Sequence, residues 1–169
     1  MPTSALPSHP DAPYCSAGYQ PALPPQLMKE GTANMNITIM AHDKKKELMV
    51  QFCTAYKSVL AKHTLSATAT TGRLVAEATG LPISLFLAHN QGGHQQVDAR
   101  IAYNEIDMVL MFTDPNSADP WDNRYALRTL LLCDAHNVPV ATNLATAEML
   151  ILGLQRGDLD WRELVHNKR

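Results

Sequence analysis

Five short polar segments hold most of the residues in this chain that could act on a small molecule. They read His42-Asp43 with Lys46 close behind, Thr70-Thr71-Gly72, His89-Asn90-Gln91-Gly92-Gly93-His94, Asp114-Pro115-Asn116 and Thr142-Asn143. The run Ala67-Thr68-Ala69-Thr70-Thr71-Gly72-Arg73 brings hydroxyls and backbone N–H groups to a helix start, where the helix dipole favours an anion. The same threonines would also serve as ordinary helix caps. Lys46 lies one turn into a helix and can point back over its N-terminus towards a bound anion, or stand in a solvated basic face. His42 suits phosphate binding or polarisation of a carbonyl, and Asp43 suits an N-cap. A neutral imidazole is a competent base near pH 7, because its unperturbed pKa is close to 6.5. His42, His89 and His94 could also converge on zinc, copper or nickel, but no cysteine or ordered His-x-His spacing supports a metal.

These segments matter because of the elements that precede them. From Met35 onward, short apolar runs alternate with helical patterns, the signature of a parallel sheet built from βαβ units. Strands are expected at 36–41, 65–69, 83–87, 108–113 and 138–142. Leu48, Met49, Phe52, Cys53, Tyr56 and Leu60 recur at helical spacing opposite Lys44, Lys45, Lys46 and Lys57, which predicts one amphipathic helix. Further helices are expected at 72–79 with Gly80 as its stop, at 94–103, 122–136 and 146–154, and a short one at 159–166. In open parallel sheets ligands bind beyond the carboxyl ends of the strands, which is where all five polar segments fall.

Composition limits the partners. The 169 residues, 46% hydrophobic and 18% charged, suit one domain with a buried core. A formal net charge of -2 gives no global attraction to nucleic acid or an anionic membrane, so any anion must be held locally. Cys15, Cys53 and Cys133 lack metal-ligand spacing and fit a reducing compartment. No run approaches a membrane span and the N-terminus lacks the pattern of a signal peptide, so a cytoplasmic protein is expected. Residues 1–34 hold seven of the eleven prolines and read as a flexible N-terminal extension ahead of a domain at 35–169. Tyr14, Tyr19 and the proline-rich run could instead dock on a neighbouring subunit.

The motifs taken together resemble the methylglyoxal synthase family. They are Ala41-His42-Asp43 with Lys46, Ala67 to Gly72, Gly92-Gly93-His94-Gln95-Gln96-Val97, Asp114-Pro115, and Asn137 to Glu148, in the family's order and spacing. Each motif is weak alone and the set is specific, covering residues 36–154. The resemblance implies a three-layer α/β/α sandwich around a five-stranded parallel sheet, assembled as a homohexamer and needing no metal or other cofactor. It implies a lyase that converts dihydroxyacetone phosphate to methylglyoxal and inorganic phosphate. A base removes a proton beside the carbonyl, an enediolate forms, and phosphate leaves from the adjacent carbon. By motif, the phosphate-side residues are His42, Lys46, Thr68, Thr70, Thr71 and Gly72, joined by His89, Gly92 and Gly93 of the loop. His42 and Asp114 also count among the catalytic candidates.

Three departures change the chemistry expected. Ala88, His89 and Asn90 stand where the family has Ser-Gly-Pro, which removes a hydroxyl and fills a glycine position. His94 replaces the aspartate that serves the family as base, and becomes the expected base here. Asp119-Pro120-Trp121-Asp122-Asn123-Arg124 replaces the family's Pro-His-Asp/Glu-Pro-Asp segment with a one-residue deletion, leaving Asp122 as a further catalytic candidate and no counterpart of the carbonyl-polarising histidine. The substrate that the resemblance implies is therefore dihydroxyacetone phosphate or a related small phosphorylated ketone. The alternative is a non-catalytic module that binds phosphate or a phosphorylated metabolite, since the same fold serves as a regulatory domain of carbamoyl phosphate synthetase.

Overall fold

Asn36–Ala41 (β1) is apolar on both faces, with Ile37, Thr38, Ile39 and Met40 all buried, as a central strand of a parallel sheet must be when helices cover both sides. The computed structural model describes residues 33–162, apart from the side chains of residues 120–122. The proline-rich stretch 1–32 and residues 163–166 of the expected last helix lie outside the described residues. The other strands are Thr64–Thr68 (β2), Ile83–Phe86 (β3), Met108–Phe112 (β4) and Val140–Ala141 (β5). All neighbours pair in parallel, in the order β3-β2-β1-β4-β5. The last strand is shorter than the expected 138–142. Pro139 lies in that stretch and has no N–H to give the ladder, though its carbonyl accepts the N–H of Val109 at 3.0 Å.

Helices close both faces. On one side α1 (Lys46–Ala55), α3 (Ala69–Thr79) and α6 (Leu144–Arg156) bury Met49, Phe52, Val75, Ala147, Ile151 and Leu154 against Ile37, Ile39, Leu65, Leu110 and Phe112. On the other side α4 (Gly93–Ala102) and α5 (Pro120–Ala135) pack Val97, Ile101 and Cys133 against Met40, Val109 and Met111. The single helix expected from Leu48 to Leu60 is divided. Its ladder ends at Tyr56 (φ -103°, ψ 20°) and resumes as α2 (Lys57–Leu60), whose Val59 and Leu60 still reach the core. Cys53 and Cys133 are buried free thiols, and burial pushes both up to about 12.

The far end is tied by charge. Of the helix expected at 159–166, the described part forms a 3-10 turn, Asp160–Arg162, whose Arg162 is fully buried. Its Nε donates to Asp107 Oδ1 at 3.3 Å, and the guanidinium also meets the carbonyls of Asn137 and Ile106. Asp107 Oδ2 in turn accepts the N–H of Asn36 at 2.9 Å, which anchors the chain just before β4 to the start of β1.

Candidate active site

The strand order creates one place where successive connections leave the sheet on opposite faces. The chain after β1 enters α1 on one side, and the chain after β4 enters α5 on the other, so a crevice opens between their carboxyl ends. The N–H of His42 donates to the Phe112 carbonyl at 2.9 Å and holds the two ends together. A cavity of about 350 Å³ lies here, within the range of small-molecule sites. Its walls bring together His42, Lys46, Thr68, Thr70, Thr71, His89, His94 and Asp114 from segments as far apart as β1 and the β4–α5 loop.

One wall is built for an anion. Helix α3 begins at Ala69, three residues earlier than its pattern predicts, so Thr70 and Thr71 lie in its first turn. Thr68 stands at the N-cap without a side-chain cap hydrogen bond. Helix N–H groups that a side-chain cap would cover therefore remain to meet a ligand. Thr68 and Thr71 are buried with their hydroxyls 3.5 Å apart, and Thr70 is exposed. His42 Nδ1 accepts the N–H of Lys44 at 3.2 Å, which leaves Nε2 as the protonated nitrogen, a donor suited to phosphate or carbonyl oxygen. Lys46 lies against Asp43, its Nζ 2.5 Å from Oδ1. That contact, first as a hydrogen bond and then as a charge, holds Asp43 below the usual carboxylate value.

The acid–base side sets an ionised carboxylate beside a pair of imidazoles. Asp114 Oδ1 accepts the N–H of Asn116 at 3.2 Å, and Oδ2 lies 3.5 Å from Lys44 Nζ and 3.9 Å from His42 Nδ1. The Asn116 N–H, then the Lys44 ammonium and then His42, lower its pKa, so the ionised form is favoured and its basicity reduced. At 3.9 Å, and with Nδ1 already accepting from Lys44, His42 is not a hydrogen-bond partner of Asp114. His94 is buried in the first turn of α4, with its Nε2 hydrogen-bonded to Nδ1 of exposed His89. The rings stand edge to face, with centroids 4.3 Å apart. Tyr125 of α5 stacks on His94 at 5.2 Å and meets His89 edge-on at 5.6 Å. Among the described residues no group of three or more His, Cys, Asp or Glu side chains is placed to hold a metal ion.

Not every expected residue reaches the cavity. A Cβ at Gly72 would meet Leu85 Cδ2 at 2.4 Å and Ala67 Cβ at 2.9 Å, so this glycine lets α3 lie against β2 and β3. Gly92 adopts φ +98°, a left-handed conformation, and the Cα of Gly93 faces the Leu87 carbonyl. All three glycines shape the cavity from behind without lining it. Asn143 caps α6 by accepting the Thr146 N–H at 3.0 Å, and Thr142 accepts from Thr113 through its carbonyl; neither lines the cavity. The side chain of Asp122 lies outside the described residues. Sequence reading missed Tyr125, whose signal was its place on the α5 stripe shared with Ala126, Thr129 and Cys133, and it missed Lys44 as the partner of Asp114.

A parallel sheet of this order, with an uncapped helix start and an acid–base cluster at its switch point, defines an α/β domain with its candidate site at the carboxyl ends of the strands. Its kinship is specific. A family model described as MGS-like domain matches residues 48–142. The chain is 60% identical over 135 residues to the methylglyoxal synthase of Caldicellulosiruptor saccharolyticus, spanning 79% of this chain and 94% of that protein. It is 49% identical over 135 residues to the methylglyoxal synthase of Oceanobacillus iheyensis, spanning 80% and 96%. The crystal structure of methylglyoxal synthase from Elizabethkingia anophelis is similar with a TM-score of 0.65 at 34% identity, covering 72% of this chain and 79% of that one. The chain belongs to the methylglyoxal synthase family.

Proposed function

We propose that this chain is a carbon–oxygen lyase of the methylglyoxal synthase type, eliminating phosphate from dihydroxyacetone phosphate to give methylglyoxal. The observation that carries this is the joining of an anion wall (Thr68, Thr70, Thr71, Lys46, His42) to an imidazole pair at the family's base position, within one cavity. The phosphate would sit at the α3 N-terminus, where the dipole and the Lys46 charge favour it most as it departs. His42, with Nε2 as donor, would polarise the carbonyl or hold a phosphate oxygen. Asp114, kept ionised, would orient Lys44 while an imidazole takes the proton. Identity of 60% to a methylglyoxal synthase supports the same substrate.

The reading extends to the assembly and its setting. A homohexamer in the cytoplasm fits the family resemblance, and large apolar side chains stand exposed at Leu85 on the edge strand, at Leu87 just after it and at Leu127 and Leu131 on α5. Among the described residues no helix is long and apolar enough to cross a membrane. Sedimentation velocity should give a mass near six times 18.6 kDa; a monomer would remove that part of the reading. The test of function is a single-substrate assay on dihydroxyacetone phosphate with trapped methylglyoxal and free phosphate both measured. Equal release of the two is expected. A rise in melting temperature with dihydroxyacetone phosphate but no release would assign the chain to phosphometabolite binding instead.

A further inference from the structure

The anion wall holds a carboxylate of its own. Lys46 opens α1 and Asp43 stands three residues before it, a spacing that brings the two side chains together at the cavity. The Lys46 ammonium donates to Asp43 Oδ1 at 2.5 Å, and among the described residues it meets no other carboxylate. Their surroundings differ. The Lys46 side chain is 19% exposed and that of Asp43 is 86% exposed. The cation is therefore held in the wall, while the carboxylate reaches it from the solvent side and can turn back into water. Lys46 above all, then His42 and His89, hold the Asp43 carboxyl below the usual carboxylate value, so it carries a full negative charge at neutral pH. A phosphate seated at the start of α3, beside Thr68, Thr70 and Thr71, needs the same ammonium. Carboxylate and phosphate both offer it an anionic oxygen, and two anions crowded on one ammonium repel each other. The exposed one is the one that can leave.

We propose that Asp43 is a resident counter-ion of Lys46, displaced when phosphate binds and restored when phosphate leaves. This rests on the lyase reading given above, in which phosphate is a product that must depart at every turnover. The exchange keeps the ammonium compensated at each stage: by Asp43 in the empty site, by the phosphate group while substrate or product is bound, and by Asp43 again afterwards. A half-buried cation left without a partner would be costly, and a site holding that cation ready for phosphate alone would retain its product. Asp43 thus lowers the affinity of the site for phosphate. It has no part in the proton transfer.

Asp43→Asn keeps the shape of the side chain and removes its charge. In calorimetry with inorganic phosphate near neutral pH, this variant should bind roughly two- to fivefold more tightly than the unaltered protein, the range set by an exposed ion pair. In a Lys46→Ala background the same substitution should change affinity by less than about 1.5-fold, because the ammonium in dispute is gone. Unchanged or weaker binding by Asp43→Asn would overturn the proposal. So would an equal gain without Lys46, which would make Asp43 a repelling charge and no more. Where the Lys46→Ala protein binds too weakly to measure, a crystal structure of the unaltered protein with phosphate decides. Lys46 on the phosphate with Asp43 turned to solvent supports the exchange, and an intact pair beside bound phosphate overturns it. Inhibition of methylglyoxal formation by added phosphate should strengthen in Asp43→Asn by the same factor as binding. A calorimetric gain in a protein that releases no methylglyoxal would support the exchange and sink the lyase reading. Methylglyoxal release with no calorimetric gain would sink the exchange alone, and absence of phosphate binding in both proteins would overturn it together with the anion wall.

Discussion

Replacing Gly93 by alanine should damage stability and turnover together, because the added carbon has nowhere to go. It would lie 2.2 Å from the Leu87 carbonyl oxygen and 3.0 Å from that of Ala88, where about 3 Å is the least a Cβ tolerates. Both obstacles are backbone, and the Gly93 N–H already donates to Ala88 at 3.0 Å, so side-chain rotation brings no relief. The loop must open by close to 1 Å in a close-packed setting. Overpacking of this kind costs about 1 to 3 kcal/mol, or roughly 3 to 12 °C in Tm for a domain of this size. His89 and His94 flank the clash, and a 1 Å misplacement of reacting groups can cost on the order of 10²-fold in rate. Gly72→Ala is the milder comparison: its closest obstacle is the end of Leu85, an exposed side chain able to turn away, which leaves only the buried Ala67 Cβ at 2.9 Å, just inside the limit, against a gain of up to about 1 kcal/mol from alanine in a helix. Thermal melts and kcat/KM for both variants check this. An unchanged Gly93→Ala protein, or a Gly72→Ala protein that suffers as much, would refute the reasoning.

Lys46→Ala should weaken inorganic phosphate binding in calorimetry by about 1.5 to 3 kcal/mol, the worth of a charge-assisted contact; unchanged affinity would take Lys46 out of the anion wall. Burial raises the Asp98 carboxyl, against the hydrogen bond from Thr129 at 2.8 Å and the nearby Arg128. The folded chain therefore holds a proton that the unfolded chain has lost, and the stability Asp98 contributes falls as pH rises from the ordinary carboxylate value near 3.8 through the raised one. Melts of Asp98→Asn against the unaltered protein should shift in the variant's favour as pH rises from the ordinary carboxylate value near 3.8, and a pH-independent difference would contradict this. Removal of residues 1–32 should change Tm by no more than a few degrees, since their composition offers no apolar core, and a large drop would show that they pack on a subunit.

The strands were legible where both faces are apolar and polar residues bound them, so β1 was read to its ends at Asn36 and Ala41. Local patterns hid what distant residues decide. Tyr56 belongs to the apolar stripe of α1, yet the helix breaks there, and no feature of the sequence marks the break. Thr70 and Thr71 read as a loop after β2 and turn out to be the first turn of α3. The glycines at 72, 92 and 93 were assigned to the ligand by motif; Gly72 and Gly93 permit close approach to Ala67, Leu85 and Leu87, and Gly92 supplies a left-handed turn. The resemblance located His94 by its alignment with the family's base, yet alignment cannot show that its ring is hydrogen-bonded to His89, five residues earlier, and stacked on Tyr125 from α5.

The central claim is that an imidazole in this cavity does the work of the family's carboxylate, and the pH dependence of kcat/KM for methylglyoxal formation from dihydroxyacetone phosphate tests it most directly. An imidazole base predicts an acidic limb near pH 6 to 7. Activity that persists undiminished to about pH 4 to 5 would place a carboxylate such as Asp114 or Asp122 in the role and contradict the account.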